Sequence, residues 1–181
     1  MIHDKILEND YLRLRALEPE DLEILYEWEN DTRVWIHGNN LSPYSKLTLR
    51  QYISDSCSMD IFQAKQLRLM IALKPDMEIA GTIDIFDFDV RNRKAGIGIL
   101  IDEKYRRKNY AFDTLEIIKE YVFSFLRIHQ LYAYISTDNQ GSIKLFEKAG
   151  FIKSGTLKDW IHIGTKYQDV NIYQLIGRNN E

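Results

Sequence analysis

The chain is short of several things, and each shortage excludes something. Its 181 residues include one cysteine, Cys57, so no internal disulfide can form. A disulfide-stapled secreted scaffold is thereby excluded, and the composition fits a reducing cytosol. The four histidines, His3, His37, His129 and His162, fall at no metal-ligand spacing, so no metal site is expected. No apolar run approaches the roughly 20 residues that a membrane span needs, so no membrane contact is expected. The opening MIHDKILEND is too polar for a signal peptide, and a cytoplasmic location is the expectation. A formal net charge of −3 argues against general nucleic-acid binding, which leaves a basic footprint.

What remains is an ordinary globular composition, 45% hydrophobic and 28% charged. The length allows one domain, residues 1–181, with a sizeable core. Tyr11 to Leu17 alternates polar and apolar residues and predicts a strand; Glu18-Pro19-Glu20-Asp21 then opens a helix reaching about Asn30. A second helix is predicted from Leu47 to about Asp60, and a hairpin from strands at Leu67 to Leu73 and Ile79 to Phe88. Near the end, Gly164-Thr165-Lys166 marks the turn of a last hairpin, whose final strand is Tyr167 to Ile176. The element order is β-α-α-β-β-β-α-β-α-β-β, an α/β or α+β chain with no repeats or linkers.

The most informative stretch is AGIGILIDEKYRRKNYA, Ala95 to Ala111. An apolar strand, Ile97 to Ile101, meets a charged turn and then a basic loop, Tyr105-Arg106-Arg107-Lys108-Asn109, that enters a helix near Tyr110. A helix N-terminus carries partial positive charge and outward N–H groups, so such a loop suits a phosphate. Downstream, Gln130 to Ser136 reads as a strand, Thr137 to Ser142 as a turn, and Ser142 to Ala149 as a helix ended by Gly150.

These two blocks resemble the GNAT acyltransferases, which use acetyl-coenzyme A. Arg106, Asn109 and Ala111 stand at the three defining positions of the family's phosphate loop, Arg or Gln, then Gly, then Gly or Ala. The second block, N-x-x-S-x-x-L-[YF]-E-K-x-G-F, is matched by Asn139, Ser142, Leu145, Phe146, Glu147, Lys148, Gly150 and Phe151. The likeness extends through YLRLRALEPEDLEILYEWEND near the N-terminus and spans nearly the whole chain. It implies the GNAT fold, a mixed seven-stranded sheet flanked by helices, and transfer of acetyl to a primary amine. Two departures stand out. Asn109 replaces the usual Gly, and it tolerates a left-handed backbone better than other residues with a Cβ. Phe146 replaces a Tyr that in many relatives can protonate the departing thiolate.

By the same resemblance, Ile99, Leu100 and Ile101 offer backbone groups to the pantetheine arm, as an added strand would. Arg106, Arg107, Lys108, Asn109, Tyr110 and Ala111 hold the pyrophosphate, and Asn139 and Phe146 line the coenzyme. Asn139 also reads as an Asx turn or helix cap for Ser142. Attack by an amine needs a base, an oxyanion donor and an acid for the thiolate. The family's frequent Glu on the strand before the phosphate loop is here Gly96, so the catalytic groups are unknown; His37 and Tyr134 are the candidates. Asp84, Asp87 and Asp89 are dense on one strand, where alternation puts Asp87 and Asp89 on one face and Asp84 on the other. They are either solvent-facing or able to attract a cationic amine. Trp28-Glu29-Asn30-Asp31, with Trp35, is similar to the acceptor-side helix of spermidine acetyltransferases and ribosomal-protein alanine acetyltransferases. Glu29 and Asp31, with Asp84 and Asp87, are therefore the acceptor candidates. The acceptor is expected to be a polyamine such as spermidine or a protein N-terminal amine, and a homo-oligomer is possible. A non-catalytic acyl-coenzyme A sensor is the alternative that Gly96 and Phe146 keep open.

Overall fold

The structure is a computed structural model that describes residues 6–35 and 42–177. Strand β1 (Leu12–Ala16) sends Leu12 and Leu14 into the core and its alternate residues outward. Helix α1 (Leu22–Glu29) follows a single 3-10 turn, Pro19–Asp21, whose Glu18 and Asp21 cap each other. Asp21 is buried, and Arg15 grips both its carboxylate oxygens at 2.7 and 2.8 Å. A short helix α2 (Thr32–Trp35) comes next, then α3 (Lys46–Ser58), whose first turn is capped by Ser45. Sequence periodicity did not predict the following one-turn helix α4 (Ile61–Ala64), which a capping box between Asp60 and Gln63 starts.

The remaining elements are β2 (Gln66–Leu73), β3 (Glu78–Asp89), β4 (Lys94–Ile101), α5 (Tyr110–Glu120), β5 (Gln130–Ser136), α6 (Gln140–Lys148), β6 (Ile152–Ile163) and β7 (Lys166–Ile176). They match the predicted order, with α6 beginning at Gln140 rather than Ser142. The strands form one seven-stranded mixed sheet ordered β1-β2-β3-β4-β5-β7-β6, antiparallel except for β4 and β5.

The two faces of the sheet are buried differently. On one, Leu69, Ile83, Ile85, Ala95, Ile97, Leu131, Ala133 and Ile135 pack with Leu115, Ile118 and Val122 from α5 and its extension, and with Phe146 of α6. On the other, Met70 packs with Leu22 and Leu25 of α1 and Leu49 and Ile53 of α3. The parallel pair is short: Lys94, Ala95 and Gly96 pair with Gln130, Leu131 and Tyr132, and the pairing stops there. Beyond that point β4 stays with β3 as far as Ile101, and β5 stays with β7 as far as Ser136. The sheet therefore splits between β4 and β5, and among the described residues no strand pairs with the β5-side edge of β4 from Ile97 to Ile101. Backbone polar groups on such an edge need partners. Among the described residues no helix is long and apolar enough to cross a membrane.

Candidate functional site

The basic loop sits at the open end of this split. Asp102 caps a single 3-10 turn, Glu103–Tyr105, and the chain then passes through two left-handed residues, Arg107 (φ 61°) and Asn109 (φ 65°). Asn109 thus takes the backbone that the sequence predicted for it. Its amide nitrogen reaches both oxygens of Asp113 at 3.1 Å, while its oxygen accepts from Lys148 Nζ at 3.0 Å. The side chain that replaces glycine bolts the loop to α5 and α6. The first helical bond of α5 runs from Asp113 N–H to the Asn109 carbonyl, so the N–H groups of Tyr110, Ala111 and Phe112 point out of the helix end. Outward N–H groups, a left-handed double turn and cationic side chains converge on one spot, an arrangement that fits a pyrophosphate.

A cavity of about 840 Å³ runs from this cradle along the split. Ile99, Leu100 and Ile101 line it on one side, and Arg106, Arg107, Asn109, Tyr110 and Ala111 line its end. Asn139 lines it from β5's side while its oxygen caps α6 by accepting from the Ser142 N–H at 3.1 Å. Two expected members lie elsewhere. Lys108 is not among the lining residues and places Nζ 5.4 Å from the ring centroid of Tyr105, which is. Phe146 is 3% exposed and packs edge-on against Phe151, so it serves the core beneath the cavity rather than its wall. Ser142, Lys144 and Lys148 line the cavity; Ser142 and Lys148 entered the sequence reading only as matches to the second block, and Lys144 not at all. The i, i+4 spacing of the two lysines is the signal that would have found them.

The acids divide among different jobs. Arg68 of β2 donates to Asp84 at 2.7 Å and to Glu29 of α1 at 2.5 Å, which ties α1 to the sheet. Burial opposes the Arg68 charge, but Asp84 and Glu29 outweigh it and raise its pKa. Arg68 was missed because nothing in its local sequence separates it from an ordinary strand arginine. Asp31 is not grouped with them: its carboxylate is gripped by Arg33, which lowers its pKa, and it borders the cavity along the split. Arg33 also reaches Glu103 at 3.1 Å, which joins α2 to the 3-10 turn before the basic loop. The alternation expected for Asp87 and Asp89 fails, because the β3–β4 register slips between Phe86 and Asp89 and Asp87 is left-handed (φ 52°). Asp87 accepts from the Tyr132 hydroxyl at 3.3 Å, and Asp89 instead closes the turn to Asn92.

Gly96 owes its identity to Phe86. A Cβ at that position would lie 2.2 Å from the Phe86 ring, so the space of any residue-96 side chain is filled by an aromatic from the next strand. Tyr132 stands across from Gly96 on β5, and burial, with the nearby Asp87 charge, pushes its phenol up to about 12. At neutral pH Tyr132 is therefore a hydrogen-bond donor and not a base. Tyr134 lies on the same face, half exposed. His37 falls outside the described residues. Among the described residues no group of three His, Cys, Asp or Glu side chains could hold a metal ion.

The model of the acetyltransferase (GNAT) domain matches residues 11–152. The chain belongs to the GNAT family. It is an acetyl-CoA-dependent N-acetyltransferase. It is 30% identical over 179 residues to the uncharacterized N-acetyltransferase YoaA of Bacillus subtilis, an alignment covering 94% of this chain and 96% of that one. It is 24% identical to the spermidine N(1)-acetyltransferase of Vibrio cholerae, over 90% of this chain and 91% of the relative. The crystal structure of spermidine N-acetyltransferase from Vibrio cholerae in complex with CoA and spermine superposes with a TM-score of 0.82 at 24% identity, covering 93% and 97% of the two chains. That likeness shows the same fold.

Proposed function

We propose that this N-acetyltransferase moves acetyl to a primary amine of a cationic acceptor, a polyamine such as spermidine or the N-terminal amine of a protein. Transfer occurs by direct attack in a ternary complex within the cytoplasm, and residues 1–181 act as one catalytic domain. The observation that carries this is the split itself. One end opens on the basic cradle of Arg106 to Ala111, and the sheet face away from α5 bears the Glu29–Arg68–Asp84 cluster. Asp84 and Glu29 gather carboxylate groups on that face, which suits a cationic acceptor. The spermidine acetyltransferases among its relatives support the same acceptor class.

Acetyl-CoA supplies an activated acetyl thioester. The chain's part is to bind and orient: N–H groups at the α5 terminus and Arg106, Arg107 and Lys144 hold phosphate oxygens, and the β4 edge pairs with the pantetheine amides. With glycine at residue 96, no side chain there can take the amine's proton. Proton removal runs through water or through a carboxylate further along the face. The test is release of free thiol with spermidine, with a basic N-terminal peptide and with no acceptor. Turnover with either cationic acceptor supports the proposal. Tight coenzyme A binding with no turnover on either cationic amine would refute the proposed acceptor class.

A further inference from the structure

Trp28 belongs to the segment that resembles an acceptor-side helix, yet its indole reaches the loop on the coenzyme side. Its ring packs against the cluster that joins α1 to α3, and Nε1 donates to Asp102 Oδ2 at 3.0 Å, a residue 74 positions away. Asp102 stands where β4 ends and the basic loop begins. Its N–H donates to the Ala80 carbonyl at 2.9 Å, which holds this point to β3. Its Oδ1 accepts from the Lys104 N–H at 3.1 Å and starts the turn Glu103–Tyr105, and its carbonyl accepts from the Tyr105 N–H at 2.9 Å. The turn ends on Arg106, whose Nε donates to the Ile101 carbonyl at 3.0 Å. One carboxylate oxygen of Asp102 thus shapes the turn that feeds the cradle, and Trp28 holds the other.

Two ties run from α1 and α2 to this turn, and they differ in weight. The Arg33–Glu103 pair is 74 and 70% exposed, so water and salt screen it. The Trp28–Asp102 bond is partly buried and its acceptor is charged, which makes it stronger than a neutral pair. A cavity of about 320 Å³ lies beside it, lined also by Glu27, Asp31, Leu100 and Arg106. Side-chain packing leaves that space open, and the indole bridges it.

We propose that Trp28 is a positioning residue for coenzyme A: by fixing Asp102 it sets the basic loop, and it couples coenzyme binding to order at the end of α1. This rests on the reading of the basic loop as the pyrophosphate cradle. A loop already held in its binding shape loses less freedom when the anion arrives, so the tie strengthens binding without touching the ligand. Linkage makes the coupling reciprocal. Coenzyme A in the cradle steadies Asp102, and through the indole it steadies the last turn of α1.

The test is calorimetry with coenzyme A on the full chain. Trp28→Phe keeps a ring and loses the donor, and it should weaken binding at least about fivefold, the low end of coupling between sites. Trp28→His should recover most of that loss, because the imidazole Nε2 occupies the ring position of the indole Nε1 and can carry the proton. Asp102→Asn has one oxygen for two donors and should weaken binding as well. Joined to Trp28→Phe it should weaken binding no further than the worse single change, since both remove the same tie. Amide exchange supplies a readout that a purely structural role would not move. Coenzyme A should slow exchange at residues 26–29 of the unaltered chain and not of Trp28→Phe. Unchanged affinity in folded Trp28→Phe, no recovery in Trp28→His, additive losses in the double variant, or α1 exchange indifferent to coenzyme A would each overturn the proposal. Ala111→Glu separates it from the reading beneath it. Weakened binding in Ala111→Glu with none in Trp28→Phe removes the positioning role alone, whereas unchanged binding in Ala111→Glu removes the cradle and this proposal with it.

Discussion

Replacing Arg68 by Met tests whether the cation shared by Glu29 and Asp84 holds α1 onto the sheet. The side chains of Arg68, Glu29 and Asp84 are 17, 20 and 19% exposed, so the cluster is largely withdrawn from water. Removing one partner of a buried ion pair costs about 3–5 kcal/mol, because a desolvated charge loses its compensation. Here one-fifth solvent access screens the remaining carboxylates, which lowers the expected loss to about 2–3 kcal/mol. Met keeps much of the stem's apolar contact, so packing contributes little to the difference. For a chain of this size that loss is a fall of about 4–12 °C in Tm. Thermal unfolding followed by circular dichroism measures it. Adding Asp84→Asn to Arg68→Met should recover part of the loss, since the repulsion between like charges is then relieved. A fall of less than about 2 °C, or a double variant as unstable as the sum of the singles, would refute the cluster's structural role.

Ala111→Glu puts a carboxylate into the cradle at the α5 terminus and should weaken coenzyme A binding at least tenfold by calorimetry; unchanged affinity in the folded variant would displace the site. Gly96→Ala drives its Cβ into the Phe86 ring and should cost about 1–3 kcal/mol in denaturant unfolding, with Phe86→Leu in the same chain restoring most of it. Tyr132 should titrate near 12 rather than 10, seen as the tyrosinate absorbance missing from Tyr132→Phe. Since the folded state holds that proton more tightly, its contribution to stability is complete below pH 10 and is lost as pH rises from 10 through 12. A missing amplitude centred near 10 would show that the phenol is not shielded as the fold requires.

The basic loop and helix end proposed to hold coenzyme A were legible as structure because they are local. A strand, a loop and a helix N-terminus within AGIGILIDEKYRRKNYA form the cradle from backbone that neighbouring residues dictate, and Asn109 at the glycine position foretold its left-handed turn. The seven strands were legible for the same reason, since alternation and turn residues act over short spans. The acceptor side was not, because it is assembled by cross-strand register. Arg68, Asp84 and Glu29 come from three elements, and only the β2–β3 register and the α1 packing bring them together. Asp31 looked equivalent to Glu29 in sequence, yet a helix break after α1 turns it toward Arg33 and the cavity along the split. Asp87 escaped the period-two rule through a single left-handed residue, which alternation cannot foresee. Phe146 matched a family position by identity, but its burial against Phe151 was decided by how α6 sits on the sheet. The sequence by itself determined the elements and the left-handed basic loop that enters α5, because both depend on neighbours along the chain. Tertiary structure alone decided which side chains face each other across the split between β4 and β5, because those contacts depend on register and on where two paired strands part.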